Sequence, residues 1–187
     1  MGCDITGSVG KILKNLTGGV DKVYLFPFVN YSRSQITLDG QFLIDFPATN
    51  IFDWYSMATN YSESTSFDGG NAVWDQNFTI QIPKTHAGSE VYKLVKQDYR
   101  AIYIDRLGNI RILGLYNGLE AQITNESGQN KADFTGYKVT FTGKEDNQAY
   151  YLTDLEDTGF TINDINNYVF QDGCNYVFQD GINFIFN

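Results

Sequence analysis

Short apolar stretches broken by glycine and polar turns recur along the chain, and most of them alternate apolar with polar positions, the period of a strand. Phe78-Thr-Ile80-Gln-Ile82 alternates until Pro83 ends it. Ile102 and Ile104 alternate with Tyr103, Asp105 to Asn109 turns, and Ile110 and Ile112 alternate with Arg111, which predicts a hairpin. Ile36 to Leu38, Asp39-Gly40 and Gln41 to Phe46 predict another, because Asp-Gly accepts the positive φ of a tight turn. Leu115 to Ile123 is expected to extend this meander. Gly136 to Thr142 is expected to close it, with Tyr137, Val139 and Phe141 on one face. Lys22 to Val29 is strand-like in content, but Pro27 lacks an amide donor and predicts an edge or a bulge.

Two segments have helical spacing. Ser8 to Leu16 places Ile12, Leu13 and Leu16 on one side before Gly18-Gly19, which predicts a short amphipathic helix. Thr85 to Asp98 carries a stripe of Val91, Leu94 and Val95, which predicts a helix at about 86–98 flanking the strands. Ala48 to Asn71 has no clean period. Phe52, Trp54, Tyr55, Tyr61 and Phe67 stand there among Asn, Ser, Thr and Gly, and the expectation is a long loop ordered by a partner.

The last segment repeats. Asn167-Tyr-Val-Phe-Gln-Asp-Gly-Cys174 is followed by Asn175-Tyr-Val-Phe-Gln-Asp-Gly-Ile182 and by Asn183-Phe-Ile-Phe-Asn187, an eight-residue unit two and a half copies long. Strands this short are not stable alone, and Tyr168, Phe170, Tyr176, Phe178, Phe184 and Phe186 would leave a large apolar area in water. The arm is expected to pack on its own body or on a neighbouring subunit. The chain thus divides into a helical segment at 1–20, a β domain at 21–150 and a C-terminal arm at 151–187.

Composition agrees with a β-rich domain. Among 187 residues there are 14 Phe, 13 Tyr, 2 Trp and 18 Gly, and aromatic side chains favour strands. No apolar run is long enough to span a bilayer, and no signal-peptide core is found, so neither membrane insertion nor secretion is expected. A net charge of −9 argues against a basic groove that grips nucleic acid.

Candidate chemistry is sparse. His86 with Cys3 or Cys174 could be read as base and nucleophile, but nothing near either cysteine would activate a thiolate, and a lone His before a helix is ordinarily a surface residue. Asp154, Glu156 and Asp157 could hold a cation or form an acid/base pair, yet such spacing is also that of a solvated connector. Asp172-Gly173 and Asp180-Gly181 are explained by hairpin turns, and Gly7 to Lys11 is too short for a phosphate loop. Met1 to Thr6 matches a myristoylation pattern without a polybasic neighbour. No catalytic residue, metal ligand or cofactor is assigned, and the expectation is a protein that is not an enzyme.

Several motifs carry a resemblance. Ser89-Glu-Val-Tyr-Lys-Leu94, Arg100 to Asp105, Gly108 to Gly114, Asn117-Gly-Leu-Glu-Ala121 and Phe134-Thr-Gly-Tyr-Lys-Val-Thr-Phe-Thr-Gly-Lys-Glu145 together resemble structural proteins of tailed bacteriophages. The similarity spans about residues 78 to 150 and is to tail and head–tail connector ring proteins, most like those of crAss-like phages of Bacteroidetes. It implies an α+β, mainly antiparallel β fold: a tail-tube-like β-sandwich or barrel with one flanking helix and a β-rich C-terminal arm. It also implies a virion protein made in the bacterial host cytoplasm. Such a subunit joins copies of itself in a closed ring, six- or twelve-fold, contacts adjacent tail or connector proteins, and lines a conduit through which genomic DNA passes as cargo.

An acidic wall suits that role, because like charge does not trap phosphates. Ring closure needs two different surfaces on each subunit. The candidates for subunit contact are Phe52, Trp54, Tyr55, Tyr61 and Phe67, with Tyr168, Phe170, Tyr176, Phe178, Phe184 and Phe186 of the arm. The alternative is a monomeric β-sandwich that binds glycans or a receptor, with Trp54, Tyr55, Tyr61 and Trp74 as stacking platforms.

Overall fold

A computed structural model of the protein describes residues 19–68, 70–84, 88–128, 133–163, 168–169 and 175–176. The expected helix at Ser8 to Leu16 lies outside the described residues, as do His86, Cys3, Cys174, Phe170, Phe178, Phe184 and Phe186. Strands account for 59% of the structure and helical turns for 7%, in two main sheets whose pairing is mostly antiparallel.

In chain order the strands are β1 (Val20–Pro27), β2 (Thr37–Asp39), β3 (Phe42–Asp45), β4 (Thr49–Asp53), β5 (Ala58–Asp68) and β6 (Asn71–Pro83). After the helical turn α1 (Gly88–Val91) come β7 (Tyr99–Asp105), β8 (Ile110–Leu113), β9 (Glu120–Glu126), β10 (Gly136–Glu145), β11 (Tyr150–Leu152) and β12 (Phe160–Asn163). The large sheet has the order β12-β4-β1-β7-β8-β11-β3-β2, and the small sheet β5-β6-β10-β9. In the arm, β13 (Tyr168–Val169) and β14 (Asn175–Tyr176) pair antiparallel with Tyr168 opposite Tyr176.

Both predicted hairpins form. Gly40 turns β2 into β3 at φ 58°, and Ile102 faces Ile112 across β7 and β8. The side chain of Asp105 fixes the second turn by accepting the amides of Leu107 and Asn109 at 2.8 and 2.9 Å.

The centre of the large sheet, at β1, β7 and β8, is buried on both faces. Val23, Leu25, Ala101, Tyr103 and Leu113 pack against Phe78, Ile80, Val139 and Phe141 of the small sheet. The alternate residues Tyr24, Phe26, Ile102 and Ile112 form a second core with Leu43, Phe46, Ile51, Tyr150 and Phe160. That second core exists because the large sheet curls. The Phe46 amide donates to Thr158 O at 2.9 Å, and the Phe46 and Phe160 rings stack with centroids 5.0 Å apart. Burial on both faces explains why Val23 to Phe26 is a continuous apolar run.

Several expectations are corrected. β1 is an interior strand, between β4 and β7, and Pro27 is tolerated because it ends the strand opposite Tyr99. Ala48 to Asn71 is not a loop: it holds β4 and the eleven-residue β5. Its inward positions on β5 are Thr59, Tyr61 and Glu63, so the alternation in burial is real while the alternation in hydropathy is hidden.

The helix expected at 86–98 is one short α-turn followed by a 3-10 turn over Tyr92–Lys96. Winding at three residues per turn aligns Val91 with Leu94, both buried, and turns Val95 outward to 53% exposure. Leu115 to Ile123 does not extend the meander but crosses from the large sheet to β9 at the rim of the small one. The body also continues past residue 150, because β11 and β12 complete the large sheet by pairing parallel with β3 and β4.

Candidate functional site

An apolar groove of about 530 Å³ lies where the two sheets and the helical turn meet. Its floor is Leu25, Ile82, Val91 and Leu94, all buried, and one wall is the end of β4, Phe52 and Asp53, with Trp54 and Tyr55 that follow it. Pro27, Pro83 and Tyr99 come from the ends of three other strands, and Glu90 with Lys93 closes the rim through an ion pair at 2.6 Å.

The backbone around the aromatic wall is firmly held. The Trp54 amide donates to Val23 O at 2.9 Å, which carries β4 pairing one residue past its end. Next to it Ser56 ties the connection to the small sheet: its hydroxyl donates to Ala58 O at 2.7 Å and accepts the Gln81 amide at 3.1 Å. The aromatic side chains therefore stand on a fixed frame. Phe52 and Trp54 are half-buried, and Tyr55 is 73% exposed.

The remaining aromatic candidates are dispersed. Tyr61 enters the core between the sheets, its ring 5.2 Å from that of Tyr103, and burial pushes its phenol upward, with Glu63 adding to the rise. Phe67 lies near the tip of the β5–β6 hairpin at 82% exposure. Trp74 lines a separate polar hollow of about 330 Å³ with Gln41, Asn147, Gln148 and Tyr150. The four stacking platforms of the glycan-binding alternative thus fall in three places, with only Trp54 and Tyr55 in one groove. Tyr168 and Tyr176 are brought opposite each other by the short ladder of the arm.

Asp154 serves a turn. Its Oδ1 accepts the amides of Glu156 and Asp157 at 2.8 and 3.2 Å, while Glu156 and Asp157 themselves are exposed. Among the described residues no group of His, Cys, Asp and Glu could hold a metal ion.

Sequence reasoning missed a buried polar cluster that secures the crossover from β8 to β9. Gln76 accepts the Gly114 amide at 2.9 Å, and its amide donates to Glu63, which also accepts the Ala149 amide at 2.8 Å. Arg100, 1% exposed, donates from Nε to Leu115 O at 3.0 Å and from Nη2 to Val29 O at 2.9 Å. Its guanidinium lies over the Phe28 ring, 4.2 Å from the centroid, and burial lowers its pKa to about 10. Glu145, 3% exposed, accepts the amides of Tyr116 and Asn117 at 3.0 and 2.9 Å. Burial raises its pKa, and those two amides pull it partly back.

All of these partners are backbone groups or neighbours within the cluster, so its chemistry is that of a clamp. The only sequence signal for it is Arg100 between Tyr99 and Ala101 in an otherwise apolar run, which does not say what it binds, and Glu145 between Lys144 and Asp146 gives none. The groove offers an apolar surface with Asp53, Glu90 and Lys93 among its lining, and the clamp gives a rigid crossover. No family model matches the chain, and no curated protein or solved structure matches it.

Proposed function

We propose that this chain is a structural ring subunit of a tailed-bacteriophage tail or head–tail connector, lining a conduit for genomic DNA. The observation that carries the reading is the motif series within about residues 78 to 150, which resembles ring proteins of such phages. Those motifs coincide with the rigid centre of the body. Asp105 to Gly114 spans the β7–β8 hairpin, Asn117 to Glu120 is the clamped crossover, and Gly136 to Glu145 is β10, interior to the small sheet.

Three further features support it. The body is a two-sheet, mostly antiparallel β structure. Its surface displays large apolar side chains, Tyr55, Met57 and Phe67 among them, in the strands and connection at 49–68 where subunit contact is expected. The charge of −9 suits a wall past which DNA slides. No helix among the described residues is long and apolar enough to cross a membrane. The glycan-binding reading is weaker, because its four aromatic platforms do not share a surface.

The test is the solution mass of the full chain by light scattering, followed by negative-stain imaging. Closed rings of the chain, alone or with a neighbouring tail or connector protein, are the expected result. A chain that stays monomeric at every concentration and assembles with no virion protein overturns the reading.

A further inference from the structure

The apolar groove has a candidate occupant within the same chain. β12 is the outer strand of the large sheet and runs parallel to β4, with Phe160 opposite Thr49 and Asn163 opposite Phe52. Phe52 is a wall residue of the groove, and the chain continues in the same direction through Asp53, the last residue of β4, to Trp54 and Tyr55, which also line it. The last described residue of β12, Asn163, is therefore placed beside Phe52 in the groove wall. The next segment in sequence is 164–187, whose repeats each carry a run of three apolar residues, Tyr-Val-Phe or Phe-Ile-Phe, and include no Lys or Arg.

We propose that this groove is the docking site of the chain's own repeat segment, residues 164–187, bound in cis, with repeat aromatic side chains set against Trp54 and Tyr55. The groove is lined mostly by apolar side chains, and the segment carries the apolar surface that most needs cover. Tethering decides between cis and trans. A segment attached beside its site presents itself at about millimolar effective concentration, which a second copy at micromolar concentration does not match. The proposal does not depend on the ring reading. In a ring, the docked arm and the β4 wall would form one composite surface instead of two separate ones.

Tryptophan emission tests this in the full chain. The protein has two tryptophans, and Trp74 lies in the separate hollow, so Trp74→Phe leaves Trp54 as the reporter of the groove. In that background, Tyr168, Phe170, Tyr176 and Phe178 are replaced together by Ser. A second variant carries Tyr168→Phe and Tyr176→Phe, which keep the rings. Acrylamide quenching and emission wavelength are read with the mass by light scattering, and circular dichroism checks that the body is folded.

The expected result is a severalfold rise in quenching and a red shift for the Ser variant, none for the Phe variant, and protection in the parent that is independent of protein concentration. Equal quenching in the parent and the Ser variant overturns the proposal. Protection that disappears on dilution together with the oligomer also overturns it, by showing that a neighbour donates the segment. An unfolded Ser variant would show that the segment supports the body. The decision then rests on whether parent Trp54 is shielded and stays shielded on dilution, and a solvent-accessible parent Trp54 overturns the proposal.

Discussion

Arg100 and Glu145 hold one turn by its two kinds of backbone group. The guanidinium donates to Leu115 O at 3.0 Å, and the carboxylate accepts the Tyr116 and Asn117 amides at 3.0 and 2.9 Å. The two side chains come from different sheets, Arg100 on β7 and Glu145 at the end of β10. The turn between them is where the chain passes from one sheet to the other. Two buried charges are thus placed to set the relation of the sheets.

Removing either partner leaves buried backbone groups unpaired. Glu145→Ala orphans two amides, and Arg100→Leu orphans two carbonyls while leaving Glu145 without its nearest buried cation. Each is expected to lower unfolding free energy by about 3 kcal/mol. Arg100→Lys should recover little of this, since one ammonium cannot reproduce the planar fork that reaches Leu115, Val29 and the Phe28 ring. Urea denaturation measures it, and a change within experimental error for both Glu145→Ala and Arg100→Leu would refute the clamp.

The same carboxylate implies a pH dependence. Burial holds the Glu145 pKa above its usual 4.5, so between that value and its native pKa the folded chain binds a proton that the unfolded chain has released. Its contribution to stability therefore falls as pH rises through this window. Glu145→Gln removes the dependence, so the stability of the parent relative to this variant should be higher near pH 4.5 than at neutral pH. Parallel denaturation curves across that range check the sign. A stability difference that does not vary with pH would mean that Glu145 titrates normally.

Much of this architecture can be read from residues alone, and the failures share a cause. The β2–β3 and β7–β8 hairpins are legible because turn chemistry and strand alternation agree locally. β5 is not, since an edge strand can fill its inward positions with Thr59, Tyr61 and Glu63. Pro27 misleads because its meaning depends on whether it sits inside a strand or at its last residue. Groove residues Phe52, Trp54 and Tyr55 stand out in the sequence as an aromatic cluster, but their floor of Leu25, Val91 and Leu94 comes from distant segments. The clamp is invisible for the same reason: Gln76, Arg100 and Glu145 are far apart in sequence, and only the crossing of two sheets brings them to one turn.

That crossing also restricts β10. Gly143 lies opposite Gln76, and a Cβ there would meet Gly118 O at 2.5 Å and Leu119 Cδ2 at 2.8 Å. A backbone oxygen in a clamped turn cannot move aside, so Gly143→Ala is expected to cost about 2–3 kcal/mol. Gly40 makes the contrast. It adopts φ 58° with no heavy atom within 4 Å of a Cβ, so Gly40→Ala bears only backbone strain of about 1 kcal/mol. Thermal melts of both variants should rank them in that order, and the reverse order would show that the crossover yields.

Alkaline titration probes the core between the sheets. Burial pushes the Tyr103 phenol up to about 12, against a smaller opposing pull from Arg111, and burial drives Tyr61 upward as well. Above pH 10 an unfolded tyrosine releases its proton while these two keep theirs, so the folded state binds more protons and stability falls as pH rises. The native chain should therefore keep at least these two phenols un-ionised at about pH 11, to ionise only as the fold is lost. Ultraviolet difference titration reads this as a late, cooperative step. Tyr103→Phe should remove one phenol from that step and move alkaline unfolding to higher pH, because the variant has no proton to lose there. A variant whose titration curve loses a phenol from the early phase instead would place Tyr103 in contact with solvent and contradict its stacking on Phe78.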